Sequence, residues 1–291
     1  MPPVKKRTRS YDSAKIRAAV LAQFGNVREA VAGLTAEQLA LPTALGGWTV
    51  RELAAHLTLA VESVSRTIEL SAQPSDQHPA QRPDQQPDRQ PAPAPAPAPV
   101  PASVLPLLDW PFATAGLAED ISRDVKVVAA SASPDELFER TAERIAALLP
   151  ETPDDRLLTT RLGVMRLGDF LVTRTVELTV HTDDLNRAVA GLDVPYDRQA
   201  LAACTRLLAD ALAVKAPGAS TEVRIPPYAV VQCVEGPRHT RGTPPNVVET
   251  DPLTWIRLAT GRTTWREALD AAHVSASGER ADLGELLPLM G

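Results

Sequence analysis

Glu177-Leu-Thr-Val-His181 sits inside a stretch, Arg166 to Ala190, that reads as one long helix. Its inner stripe runs Leu167, Phe170, Leu171, Arg174, Glu177, Leu178, His181, Leu185 and Ala188, at the spacing of a 3.6-residue turn. A helix packed in a bundle is expected to present an apolar stripe. Here three ionisable residues break that stripe in its middle, and such a break marks function or strain. Residues four apart share a helix face, so Glu177 and His181 can reach one ion together. Ionised glutamate and arginine on an inner face are costly unless paired or metal-bound.

A third ligand can come from another helix. Trp48-Thr-Val-Arg-Glu52 writes a helix start, with Thr49 as N-cap and Glu52 closing a capping box. On that helix His56 shares a face with Leu53 and Ala60, which points it inward. Two histidines and a glutamate with an open position suit catalytic zinc or a related divalent ion. A thiol in that position is deprotonated, which makes a nucleophile at neutral pH. The plainer reading is a buried Arg174–Glu177 ion pair with His181 as a hydrogen-bonded neighbour. Asp184 can orient His181 as an acceptor or simply solvate the helix. Arg174 can hold Glu177 or a substrate carboxylate.

Two further helices complete a bundle. Ile16, Val20, Phe24, Val27 and Val31 give a helical pattern over Tyr11–Leu34. Ser133-Pro-Asp-Glu136 is a second capping box, with proline at the first helical position. Between the His56 helix and this one lies Ala72–Val104, which holds 10 of the 27 prolines and favours extended polyproline II. His56 precedes that segment and Glu177 follows it, so a shared ion makes the segment an insertion within one bundle. Beyond Gly191 and Pro195 the character changes. A helix over Leu201–Val214, strands at Glu222–Ile225, Ala229–Val234 and Asn246–Thr250, helices at Leu253–Thr260 and Trp265–Ala272, and a strand at Val274–Gly278 make an α+β part.

Composition sets the outer limits. The 291 residues carry a net charge of −6, so no basic excess supports nucleic-acid binding. No apolar run is long enough for a membrane span, and the basic start Lys5-Lys-Arg-Thr-Arg9 has no apolar stretch behind it. Cys204 and Cys233 have no zinc or redox spacing and read as buried small residues. A cytoplasmic protein is the expectation, with the oligomeric state open and a monomer plausible. Trp255 and Trp265 read as core, and His78, His239 and His273 as surface.

Gly47-Trp-Thr-Val-Arg-Glu-Leu-Ala-Ala-His56 and Glu177-Leu-Thr-Val-His181-Thr-Asp-Asp-Leu resemble the mycothiol-dependent maleylpyruvate isomerase family. Glu249-Thr-Asp-Pro-Leu-Thr-Trp-Ile-Arg-Leu-Ala-Thr-Gly-Arg262, with Val274-Ser-Ala-Ser-Gly, is similar to that family's smaller domain, which resembles sterol carrier proteins. The resemblance implies a mainly α fold: a DinB-like four-helix bundle followed by a smaller α+β domain. It implies metal ligands at His56, Glu177 and His181, zinc as the ion, and mycothiol as thiol cofactor. The thiolate would attack a small electrophile, with cis–trans isomerisation as the reaction and mycothiol S-transfer as the alternative. Non-catalytic ligand binding and an interaction protein are the contrasting classes.

The family also uses an arginine of its second domain. Arg262 is the choice here for substrate or thiol, with Arg224, Arg238 and Arg241 as competitors. The expected division is a basic disordered tail at 1–10, a metal-binding bundle at 11–192 with a Pro-rich disordered insertion at 72–104, and a sterol-carrier-like domain at 193–291. The site is expected in the cleft between the two domains, where ligand pockets favour forming. The partners implied are a small-molecule electrophile and the thiol, with no nucleic acid and no membrane.

Overall fold

A computed structural model describes residues 9–72, 103–236 and 244–290. Helix α1 (Ser13–Ala32) starts at Asp12, whose carboxylate accepts from the backbone N–H of Lys15. It buries Ile16, Val20, Phe24, Val27 and Val31, the face that the sequence spacing requires. A short α2 (Ala36–Leu39) leads to α3 (Val50–Leu70). The capping box is formed: Thr49 accepts from the Glu52 N–H while the Glu52 carboxylate accepts from the Thr49 N–H. Such a cap contributes about 1 kcal/mol. It also sets the phase of α3, and with it the direction of His56. Trp48 is buried in front of the cap and donates through Nε1 to Ser122 at 3.0 Å.

Then come α4 (Trp110–Ala113), α5 (Ala118–Ser131) and α6 (Pro134–Leu148), the last opened by the Ser133–Glu136 capping box. Strands β1 (Leu157–Thr160) and β2 (Gly163–Arg166) form an antiparallel hairpin that feeds directly into α7 (Leu167–Ala188). Helices α1, α3, α6 and α7 pack as the expected four-helix bundle, with α5 laid against α3 as an extra.

The remainder is α+β. Helix α8 (Arg198–Lys215) is followed by β3 (Thr221–Ile225), β4 (Ala229–Cys233), β5 (Val247–Thr250), α9 (Pro252–Ala259), α10 (Trp265–Asp270) and β6 (Val274–Ser277). The sheet order is β4-β3-β5-β6, with β3 and β5 parallel and the outer pairs antiparallel. Helix α8 joins the two parts. It packs on α1 and α7 on one side and on β4 and α9 on the other, so one hydrophobic core runs through the whole protein.

The expected tail at 1–10 and insertion at 72–104 lie almost wholly outside the described residues. Arg9, at the edge of that tail, pairs with Asp210 of α8 at 2.8 Å. Among the described residues no helix is long and apolar enough to cross a membrane. Cys204 and Cys233 are buried thiols and Trp255 is core. Trp265 packs half-buried against the same core and His273 is exposed, while His78 and His239 lie outside the described residues.

Candidate metal centre

Packing of α3 against α7 brings together residues that are distant in sequence. His56 and His181 are buried and Glu177 nearly so, and one ligand atom from each lies within 4.8 Å of the others. His56 Nε2 is 3.3 Å and His181 Nε2 3.5 Å from the same atom, Glu177 Oε2. The two imidazoles meet edge to face at 4.6 Å between centroids. On its other side His181 donates through Nδ1–H to Asp184 at 2.8 Å. That bond keeps a proton on Nδ1 and turns Nε2 toward Glu177.

Charge in this cluster is finely set. Burial lowers the His56 pKa more than its hydrogen bond to Glu177 raises it, so a neutral imidazole is favoured. Burial also acts against the charge on His181, but Asp184 and Glu177 outweigh it and the pKa is raised. For Glu177, burial alone would raise the carboxyl. The hydrogen bonds from His181 and His56, with Arg174 nearby, overcome this and hold it well below the usual range. Arg174 is only a distant partner, with Nη2 3.9 Å from Glu177. Its guanidinium instead donates to Thr173 at 3.0 and 3.1 Å and stacks on Phe170 at 4.6 Å. The buried ion pair of the plainer reading therefore exists only in a loose form.

A cavity of about 420 Å³ opens beside the cluster, and His56, Glu177 and Arg174 line it. One wall is α3, with Ser63, Arg66 and Thr67. The other sides carry Trp110 from α4, Leu117 before α5, Ile121 from α5, Leu162 from the hairpin turn and Phe170 from α7, together with the polar Thr114, Asp124, Thr159, Thr160 and Arg161. Every lining residue belongs to the bundle segment, which corrects the expectation of a cleft between the two parts. The reason is that α5 and the β1–β2 hairpin close over α3 and α7, and sequence reading assigned no element to either. Leu117 caps α5 without a side-chain hydrogen bond, so that helix lacks a written start. The hairpin signal is only four residues a side around Gly163, whose φ of 133° marks the turn.

The comparisons bear on this arrangement. The model described as "Mycothiol maleylpyruvate isomerase N-terminal domain" matches residues 20–186. The chain belongs to that family. A second model, "Bacterial SCP ortholog", matches residues 197–289. Two solved structures cover 94% of this chain and 95% of their own, both with a TM-score of 0.57. They are the mycothiol-dependent maleylpyruvate isomerase at 13% identity and a histidine-to-alanine mutant of it at 14%. At that identity the likeness carries the fold. No curated protein matches the sequence. Membership in the mycothiol maleylpyruvate isomerase family makes this protein an enzyme, and its bundle with a smaller α+β part is the fold of that isomerase.

Arg262 occupies a place that the sequence did not foresee. Its guanidinium donates to Asp184 at 2.9 Å and to the Thr260 carbonyl at 2.8 Å, and it does not line the cavity. It acts on the cluster from behind, through Asp184 and His181. Burial would raise the Asp184 carboxyl, but His181 and Arg262 together hold it far below the ordinary aspartate value. The neighbouring Asp183 is held by Arg257 of α9, at 2.6 and 2.9 Å. Asp183 and Arg257 went unassigned in the sequence. The signal was there, in two adjacent carboxylates on a stripe that turns inward. Of Arg262's competitors, Arg224 pairs with Glu222 on the sheet at 2.7 Å, and Arg238 and Arg241 lie outside the described residues.

Proposed function

We propose that the protein is a metal- and mycothiol-dependent enzyme acting on a small electrophile by cis–trans isomerisation, with His56, Glu177 and His181 as the metal ligands. The observation that supports this most is the convergence of two imidazole Nε2 atoms on one carboxylate oxygen at the base of a cavity. The donor set fits a divalent ion. Two imidazole nitrogens and one carboxylate oxygen, all within 4.8 Å of one another, suit zinc and its neighbours. When bound, the ion would be held by His56, Glu177 and His181 and would lower the pKa of the mycothiol thiol, supplying a thiolate nucleophile for reversible conjugate addition.

The chain's own residues do the rest. Asp184, backed by Arg262, keeps a proton on His181 Nδ1 and so presents Nε2 to the cluster, where an ion would take it. Glu177 stays ionised at neutral pH because two imidazoles and Arg174 favour its charged form. Trp110 and Phe170 flank the Arg174 guanidinium at 5.9 and 4.6 Å and hold it beside the cluster. The division into a metal-binding bundle at 11–192 and a second domain at 193–291 belongs to the same proposal. The second domain's role in it is to hold Asp184 in position. The smaller domain's likeness to sterol carriers leaves its own cargo outside this reading.

The test is metal content of the purified protein beside His181→Ala, with mycothiol turnover on cis-configured electrophiles. About one divalent ion per chain, lost in the variant, with free thiol regenerated during turnover, is the expected result. Stoichiometric thiol consumption would move the reaction to S-transfer. A wild-type protein that takes up no divalent ion overturns the proposal.

A further inference from the structure

Arg174 is buried, at 8% exposure, and lines the cavity beside Glu177. A guanidinium has five N–H donors and keeps its charge in a protein, so burial obliges its surroundings to match it. The match at Arg174 is incomplete. Nε and Nη2 both donate to the Thr173 hydroxyl, at 3.1 and 3.0 Å, and Nη1 reaches the Ala60 carbonyl only at 3.4 Å. The two Thr173 bonds use up the Nε edge. On the terminal edge, Nη1 and Nη2 each keep an N–H with no acceptor within reach among the described residues, and the nearest carboxylate, Glu177, is 3.9 Å from Nη2. The faces of the guanidinium are covered instead, by Phe170 at 4.6 Å and Trp110 at 5.9 Å, and both rings also line the cavity. Rings on the faces fix the plane and leave the terminal edge open, which suits bidentate binding of a carboxylate.

The other polar groups of the lining are engaged or exposed. Ser63, Thr67, Thr114 and Thr160 each donate their hydroxyl to a main-chain carbonyl. Arg161 is paired with Asp124, and Arg66 and Thr159 are exposed. Nor does Glu177 neutralise Arg174 when it holds a divalent ion. The ion's two positive charges already exceed the single negative charge of Glu177, and Arg174 adds another beside them. Asp184 offsets none of this, because Arg262 already matches it. Of the two positive charges in excess, the thiolate of the cofactor offsets one, and a single carboxylate offsets the other.

We infer that Arg174 is the receptor for a carboxylate of the electrophilic substrate, which lies across Nη1 and Nη2 and sets the reacting carbon on the Glu177 side. This rests on the proposed function, which places an ion at Glu177, and it assigns to that site the residue that holds the substrate.

The probes are two unreactive thiols that differ in one group, 3-mercaptopropanoate and 3-mercaptopropanamide. Titrated calorimetrically into the zinc-loaded protein, with bound zinc measured before and after, the acid should bind at least about tenfold tighter than the amide. In Arg174→Met that preference should fall to about threefold or less, with zinc stoichiometry at the wild-type level. Arg174→Lys keeps the charge without the fork, so its preference should be at least about threefold smaller than that of the wild type. It remains the test if Arg174→Met unfolds or sheds zinc. Arg66→Ala removes an exposed guanidinium and should leave the preference unchanged. A wild-type preference retained in either Arg174 variant, as a carboxylate held by the ion alone would give, overturns the inference. So does a wild type that does not distinguish acid from amide, or a loss in Arg66→Ala equal to that in Arg174→Met. A wild-type protein that takes up no zinc fails at the earlier step and refutes the proposed function.

Discussion

Glu177 and Asp183 lie within two turns of each other on α7, and the protein treats their charges in opposite ways. Asp183 receives both nitrogens of Arg257 at 2.6 and 2.9 Å and the Tyr196 hydroxyl at 3.3 Å. Its charge is fully matched, and the match ties α9 to the bundle. Glu177 receives no such fork. Its nearest guanidinium is 3.9 Å away, and its close neighbours are two imidazoles that turn lone pairs as readily as protons toward it. A carboxylate with a bidentate arginine is structural, because nothing further is gained by bringing in a cation. A carboxylate ringed by imidazoles and without an arginine fork is suited to bind one. Asp184 lies between these cases, since it connects the arginine side of α7 to the imidazole side.

This contrast is sharpest at Glu177. Glu177→Gln should abolish bound divalent ion and thiol-dependent turnover, and it should also cost the metal-free protein some unfolding free energy at neutral pH, because the fold favours the ionised carboxylate. A loss of several kcal/mol in urea denaturation, with the ion retained, would make Glu177 structural and end the comparison. Arg257→Ala should cost stability and leave the ion in place. It strands a buried carboxylate, so about 2–3 kcal/mol of stability should go, the lower part of the usual range because Arg257 is itself partly exposed. Metal stoichiometry should stay at the wild-type level.

Asp184→Asn tests the connection. Metal affinity should fall about 10- to 100-fold, the usual effect of removing an acceptor behind a ligand histidine. The same variant carries a pH signature in the metal-free protein. The folded-state pKa of Asp184 is depressed, so its contribution is present above the unfolded value of about 3.9 and is lost as pH falls below it. Wild-type stability should therefore drop more steeply below about pH 4 than that of Asp184→Asn. Chemical denaturation at stepped pH reads this directly, and parallel curves would remove Asp184 from the account. The smallest effect is expected at Arg262. Asp184 keeps its bond to His181 without it, so Arg262→Ala should weaken metal affinity by only about threefold to tenfold, less than Asp184→Asn. An equal loss would mean that the arginine, and not the carboxylate, orders His181.

Much of this was legible in the chain. The capping boxes at Thr49 and Ser133 set where two bundle helices begin, because a cap is satisfied by residues three apart. The interrupted stripe on α7 exposed Arg174, Glu177 and His181, because helical periodicity is local. His56 followed from the phase that the Thr49 cap imposes. The walls of the cavity were not legible. Leu117, Ile121 and Leu162 are ordinary apolar residues on a helix without a written cap and on a four-residue hairpin. Nothing short-range tells them from core.

The sequence by itself determined the helices of the bundle, the α+β character of the rest, and the three residues that can share an ion. Each of these depends on spacings of a turn or less, which the chain carries in its local pattern. Only the tertiary structure decided that the cavity belongs to the bundle, that Arg262 stands behind His181 and off the cavity, and that Arg257 neutralises Asp183. Those contacts join residues more than 70 positions apart. Their partners are chosen by how α7, α8 and α9 pack, and several arginines of equal chemistry compete for each carboxylate until packing places one of them within reach.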